Sequence, residues 1–249
     1  MKEQYLVSLR KKEVYPDGEY PFTIPAVREF DEINFHPQVT FFVGENGSGK
    51  STLLEALAKS FSLNAEGGSR NMHFSTEETT SSLDSYLIVK KGIIRARDSY
   101  FLRAESYYNV ATEIRKLDDA PGDTSSRIID SYGGLSLHHQ SHGESFFSLL
   151  HHRLHGNGIY LLDEPEAALS VRRQMSMIAR MHELCTKEKS QFIIATHSPI
   201  LLSYPHAWIY EFSEKGIVRR ARDEVENFSL MQDFMRCPER YVKELLEKE

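Results

Sequence analysis

Apolar residues in this chain fall into short unbroken runs, set between polar stretches and helical patterns. Residues 39–43, 159–162 and 191–195 are such runs, rich in β-branched and aromatic side chains, and each predicts a buried strand. Residues 5–9 read as an opening strand and 27–35 as a second one, separated by a loop with Pro16, Asp17, Gly18, Pro21 and Pro25. Residues 86–94 read as a hairpin around Gly92, 101–105 as another strand, and 207–212 with 217–219 as a closing hairpin around Lys215 and Gly216. Helices are predicted over 51–58, 108–117 and 171–184, and from 228 to 246 with a break at Pro238. Strands alternating with helices predict an α/β fold, a mostly parallel sheet flanked by helices, with an antiparallel β element near the N-terminus.

One strand runs straight into a glycine-rich turn and a helix. Gly44, Glu45, Asn46, Gly47, Ser48, Gly49, Lys50 and Ser51, followed by Thr52, fit G-x-x-x-x-G-K-[ST] in the strand–loop–helix context that motif requires. The glycines let successive backbone N–H groups turn towards one phosphate chain, and the helix N-terminus and Lys50 add positive charge. Ser51 is placed to offer its hydroxyl to a magnesium ion between the β- and γ-phosphates.

Two later strands end in reactive side chains. Residues 159–162 lead into Asp163, Glu164, Pro165 and Glu166. A carboxylate at the end of a buried strand needs a cation or several hydrogen bonds, which suits Asp163 to magnesium and Glu164 to activating water. The strand over 191–195 leads into Thr196, His197, Ser198 and Pro199, where His197 can hydrogen-bond a γ-phosphate. Upstream, Ser141 and Glu144 form a capping-box pair with Gly143 between them; this reads either as a plain helix start or as an anion-receiving turn.

Bulk properties narrow the class. A chain of 249 residues, 27% charged and without a long apolar run or a signal peptide at its start, predicts a cytoplasmic protein with no membrane insertion. Two cysteines, Cys185 and Cys237, make neither a disulfide framework nor a thiolate metal site. A net charge of -6 argues against broad coating of nucleic acid. The clusters Arg10-Lys11-Lys12, Arg172-Arg173 and Arg219-Arg220 with Arg222 read as solvated surface charge. Tyr20 and Phe22 read as core or surface aromatics in preference to a base-stacking platform. His138 with His142 and His151 with His155 have helical spacing, but without a third ligand nearby they do not predict a metal centre.

Taken together, residues 44–51, Ser141-His142-Gly143-Glu144, Leu161-Leu162-Asp163-Glu164-Pro165 and Ala195-Thr196-His197-Ser198-Pro199 resemble the ordered motifs of ABC-type ATPase heads. The resemblance runs from Phe35 to about Phe212, and is nearest to small stand-alone AAA-family ATPases related to the SMC, Rad50 and RecF heads. It implies a P-loop NTPase fold of the ABC ATPase type, formed by one domain over 1–249 with a small helical insertion, the insertion and signature-motif region lying at about 61–157. It also implies ATP and Mg2+ as ligands. By the same resemblance 44–51 is the Walker A loop, Asp163 the magnesium acid, Glu164 the catalytic base and His197 the switch histidine, with Lys50 acting on the phosphates. Ser141, Gly143 and Glu144 are implied to be a signature motif that a second subunit presents to the γ-phosphate, and Ala168-Leu169-Ser170 the D-loop. The expected function is ATP binding and slow hydrolysis with ATP-dependent homodimerisation, acting on a protein partner or DNA in repair or in defence against foreign DNA. Two alternatives are the ATP-binding subunit of an ABC transporter and a non-hydrolysing nucleotide-sensing scaffold. No glutamine lies between Ser51 and His139, where the transporter pattern expects one, and Glu105 is the candidate substitute. The motif Ser-His-Gly-Glu also departs from the transporter form Ser-Gly-Gly-Gln, and Ser170 stands where the D-loop usually ends in aspartate.

Overall fold

A computed structural model describes residues 4–69, 81–104, 107–119, 127–134 and 142–247. The chain opens with β1 (Leu6–Lys11), a short helix α1 (Pro25–Glu29) and β2 (Glu32–Asn34). The expected single strand over 27–35 therefore begins as helix, over 27–29. Pro25, with its fixed φ, starts α1 and buries Ala26 and Val27, leaving only three residues to pair with β1. Then follow β3 (Val39–Gly44), α2 (Lys50–Ser60), β4 (Leu87–Lys91), β5 (Asp98–Arg103) and α3 (Tyr107–Asp118). The hairpin expected around Gly92 does not form: β4 pairs antiparallel with β1, and beyond it the Gly92 N–H donates to the Tyr5 carbonyl at 2.9 Å. The backbone at Gln4 packs where a Gly92 side chain would go.

The second half comprises α4 (His142–Ser148), continued by a π-helical turn over Leu149–Arg153, then β6 (Gly158–Asp163), α5 (Val171–Thr186) and β7 (Gln191–Ala195). It ends with α6 (Pro199–Leu202), the hairpin β8 (Trp208–Ser213) and β9 (Gly216–Arg220), and helices α7 (Glu226–Arg236) and α8 (Pro238–Leu246). The closing hairpin and the Pro238 break match the sequence pattern.

The main sheet has the order β5-β6-β7-β3-β8-β9, parallel except for β9, and a small antiparallel sheet has the order β2-β1-β4. Alternation along β3 feeds two cores. Val39, Phe41 and Val43 join the cluster that holds Phe146, Leu149, Met177 and Met181. Phe42 joins the other, with Leu53, Leu54 and Leu57 of α2 and Leu6 and Leu9 of β1. Each such fully buried side chain contributes about 1.5–3 kcal/mol. The two sheets are joined by Gln191, which is fully buried at the start of β7. Its carboxamide accepts from Tyr5 and Leu6 N–H at 3.1 and 2.8 Å and donates to the Leu6 and His36 carbonyls at 2.9 Å each. With donor and acceptor both satisfied, the buried amide costs little and fixes the register between the sheets. Among the described residues no helix is long and apolar enough to cross a membrane.

Candidate active site

The sheet order places β7 between β6 and β3, so the carboxyl ends of three strands distant in sequence meet at one edge. Register pairs Arg103 with Asp163, Asp163 with Ala195, and Ala195 with Phe42. Reactive side chains therefore leave the sheet side by side, where open α/β sheets bind ligands.

The loop after β3 turns at Gly44 (φ +139°), where an added Cβ would sit 2.5 Å from the Phe212 carbonyl oxygen. Gly49 (φ +98°) caps α2 in the left-handed region, against the side chains of Ile24 and Val27. Lys50 is buried, and its Nζ donates to the Gly44 and Glu45 carbonyls at 2.9 and 2.7 Å. Burial pushes the Lys50 pKa down, opposed by the carboxylates of Glu164, Asp163 and Glu166. Glu45, Asn46 and Gly47 are exposed, and the Ser48 hydroxyl is buried without a hydrogen-bond partner. The Ser51 hydroxyl donates to Asp163 Oδ1 at 3.0 Å, which joins the two residues expected to share a metal. Tyr20 is exposed with its hydroxyl 3.3 Å from Thr52 Oγ1, whereas Phe22 is fully buried and belongs to the core.

Asp163 is buried at the end of β6. Arg103, at the end of β5, brings Nε to 3.8 Å from Asp163 Oδ2 and donates from Nη1 to Glu55 Oε1 at 2.6 Å. Glu164 adopts a left-handed backbone (φ +49°), a conformation that costs a side-chain-bearing residue about 1–2 kcal/mol. Its N–H donates to the Ala195 carbonyl at 3.0 Å, and its carboxylate lies 3.7 Å from His197 Nε2. Glu166 Oε1 accepts from the His197 backbone N–H at 2.6 Å. Behind them, buried Gln174 accepts from the Ser198 hydroxyl at 2.6 Å and donates to the Leu169 carbonyl at 3.0 Å. The acidic loop after β6 and the histidine loop after β7 are thus tied twice. Ser51, Arg103, Ala104, Asp163, Glu164, Ala167 and Ala168 enclose a cavity of about 270 Å³.

Gly143 and Glu144 start α4 beside the loop formed by 168–170 and not in the lining of that cavity. A Cβ at Gly143 would meet the Ala168 carbonyl oxygen at 2.8 Å and collide with the Arg173 guanidinium. Glu144 Oε1 lies 3.9 Å from Arg173 Nη2, and Ser170 caps α5 by accepting from the Arg173 N–H at 3.4 Å. Ser141, Glu105 and His138 lie outside the described residues. His151 packs against Phe147 with ring centroids 4.4 Å apart and planes tilted by 47°, its pKa lowered by burial and by Arg180, while His155 follows the π turn and is exposed. Among the described residues no group of three His, Cys, Asp or Glu side chains could hold a metal on its own.

Sequence reasoning did not single out Arg103, Glu55, Glu166 or Gln174. Only Glu166 had a local signal, as a second acid just past Glu164. The others depend on which strand lies beside β6 and which face of α2 or α5 looks inward.

Two family descriptions match this chain. Residues 22–129 match an AAA domain. Residues 93–203 match an AAA domain whose description adds a candidate AbiEii toxin of a type IV TA system. Both stretches are thus similar to AAA domains. Among solved structures it is similar to CbiO1 from Clostridium perfringens, part of the ABC transporter complex CbiONQ. The two are 19% identical, with a TM-score of 0.52 over 98% of this chain and 100% of that one. A nucleotide-free ATP-binding cassette from an ABC transporter aligns with a TM-score of 0.51 at 17% identity, over 91% of this chain and 96% of the other. An SMC head domain from Thermotoga maritima superposes more loosely, with a TM-score of 0.44 at 18% identity over 88% and 100% of the two chains. At these identities the cassettes establish the fold of this chain, a P-loop ABC-type head. No curated protein matches the chain in sequence.

Proposed function

We propose that this protein binds and slowly hydrolyses ATP between two copies of itself, acting as one cytoplasmic ATPase domain over 1–249 with its insertion at about 61–157. The observation that carries the reading is the meeting of Lys50, Ser51, Asp163, Glu164 and His197 at the carboxyl edges of β3, β6 and β7. The residues fit the ligands. The unpaired Ser48 hydroxyl and the amides after Gly44 suit phosphate oxygens, and Lys50 is held beside them. Ser51 and Asp163 would hold a magnesium ion, which neutralises charge on the β- and γ-phosphates.

Glu164 takes the proton of a water whose oxygen bonds to the γ-phosphorus. The bridging bond to the β-phosphate breaks, and its electron pair stays on the ADP oxygen. His197 Nε2, buried and without a hydrogen bond, hydrogen-bonds a γ-phosphate oxygen. Ser141, Gly143 and Glu144 of the second copy close over the same phosphate. Because that contact exists only with ATP, the nucleotide shifts the population towards the dimer and hydrolysis releases it. The movement acts on a protein partner or on DNA, in repair or in defence against foreign DNA; both rest on the resemblance of the motifs alone. A transporter ATP-binding subunit would use the same nucleotide chemistry, but Ser-His-Gly-Glu and the missing glutamine count against it.

The test is the solution mass of Glu164→Gln with and without Mg-ATP, beside wild-type turnover. A monomer that becomes a dimer with ATP, and no longer does when Ser141 is also changed to Arg, is the expected result. Unchanged mass despite ATP binding would refute the two-copy site. ATP binding without any wild-type turnover would favour the nucleotide-sensing scaffold.

A further inference from the structure

Helix α5 begins against a basic rule of helix electrostatics. Its first turn carries Arg172 and Arg173 and no acid, so two cations sit at the positive end of the helix dipole. Each such cation costs about 0.3–1 kcal/mol where it is exposed. One offset is the Glu144 carboxylate 3.9 Å from Arg173, with side chains 56% and 34% exposed respectively. An ion pair that open contributes about 0–1 kcal/mol, no more than the dipole cost it sits against. Breaches of a local rule concentrate at functional sites.

Arg173 is also held in a particular place. Its guanidinium occupies the space over Gly143 where any side chain would go, with the Ala168 carbonyl on the other side. Ala168 in turn lines the cavity of Ser51, Asp163 and Glu164, whereas Arg173 does not. A guanidinium is already present on the cavity's own side, in Arg103. Arg173 thus stands one loop away, on the surface that carries Gly143 and Glu144, with part of its planar fork of donors open to solvent.

We infer that Arg173 is a catalytic residue supplied in trans: its guanidinium reaches the γ-phosphate of ATP bound to the second copy of this chain. This rests on the two-copy reading given above. Charge on the γ-phosphate oxygens is spread in the transition state, and a planar guanidinium can bond two of them at once, which an ammonium cannot. In that complex Arg173 exchanges a loose ion pair with Glu144 for the greater negative charge on phosphate, so the switch costs it little. Gly143 then has a second role, as the only residue that leaves room for the guanidinium beside the signature turn.

The experiment uses the 249-residue chain as Arg173→Ala, Arg173→Lys and Arg172→Ala, with ATP turnover, affinity for a fluorescent ATP analogue and solution mass measured on each. Arg173→Ala should lose turnover by about 10³-fold or more, the scale of a supplied arginine, with nucleotide affinity nearly unchanged. Arg173→Lys should recover only part of the loss, and Arg172→Ala should behave as wild type. The deciding measurement mixes Arg173→Ala with Glu164→Gln, each inactive alone. Trans action predicts recovery of roughly a quarter of the wild-type rate, because half of randomly paired dimers are mixed and each carries one intact site.

Wild-type turnover in Arg173→Ala would overturn the inference. So would an inactive Arg173→Ala that the mixture fails to rescue while Glu164→Gln still dimerises with ATP, since Arg173 would then act within its own chain. Failure of Glu164→Gln to dimerise is a different result, which removes the two-copy reading and this inference with it. If Arg173→Ala does not fold, the mixture with Arg173→Lys gives the same discrimination.

Discussion

The P-loop, the acidic loop and the histidine loop are bound to one another by short hydrogen bonds. Lys50 caps the Gly44 and Glu45 carbonyls, Ser51 meets Asp163, Glu166 holds the His197 N–H, and Gln174 ties Ser198 to Leu169. The start of α4 differs. Gly143 and Glu144 are packed against Ala168 and Arg173, but their recorded charge contact is a 3.9 Å ion pair open to water. Both surfaces belong to the same chain and share the 168–170 loop. The first is organised before any ligand arrives, which keeps the ordering cost out of nucleotide binding. The second is packed in position against Ala168 and Arg173, and its ion pair with Arg173 is loose enough to be exchanged, as the two-copy reading expects.

Three substitutions would break or sharpen that contrast. The largest effect is expected for Lys50→Ala. It removes a buried charged donor, and charge-assisted hydrogen bonds contribute about 1.5–3 kcal/mol each. ATP affinity should fall by about 10²-fold in a fluorescence titration; retention of wild-type affinity would show that the P-loop surface does not depend on this side chain. Next comes Gln174→Ala, which leaves the Leu169 carbonyl and the Ser198 hydroxyl without their partner in a buried site. A loss of about 1–3 kcal/mol is expected, read as a lower urea midpoint with unchanged slope. An unshifted midpoint would mean that the two loops are held together by other contacts. The smallest stability effect is expected for Gly143→Ala, where the flexible Arg173 can swing aside but the Ala168 carbonyl cannot. Overpacking of this kind costs about 1–3 kcal/mol, at the low end for a helix start near the surface. Its signature is selective: turnover falls while nucleotide affinity stays at the wild-type value. Loss of both together would refute the division into two surfaces.

Much of the first surface was legible from local pattern. A β-rich apolar run into a glycine loop and a helix announces its own geometry, because the loop glycines and the helix start lie within a dozen residues. The acids after β6 and the histidine after β7 were legible for a similar reason, as polar groups that end buried strands. Less legible were the places where backbone choices are shared between segments. Residues 27–35 looked like one strand until Pro25 and the packing of Ala26 and Val27 made the front of it helical. Residues 86–94 looked like a hairpin because Gly92 suggested a turn, when its small size serves close approach to the chain at Gln4. The Arg172-Arg173 pair looked like ordinary surface charge, since nothing local reveals that Arg173 lies over Gly143.

The sequence by itself determined that strands and helices alternate, that one loop has the glycine pattern of a phosphate cradle, and which residue types end the neighbouring strands. These follow from short-range chemistry: side-chain periodicity, glycine's backbone freedom and the cost of a carboxylate at a buried strand end. Tertiary structure alone decided that β7 lies between β3 and β6, which brings His197 to Glu164 and Asp163 to Ser51. It alone placed Arg103 beside Asp163, Gln174 between two loops and Arg173 over Gly143. Strand order is set by how two apolar faces are jointly covered by helices, a property of the whole chain that no short stretch encodes.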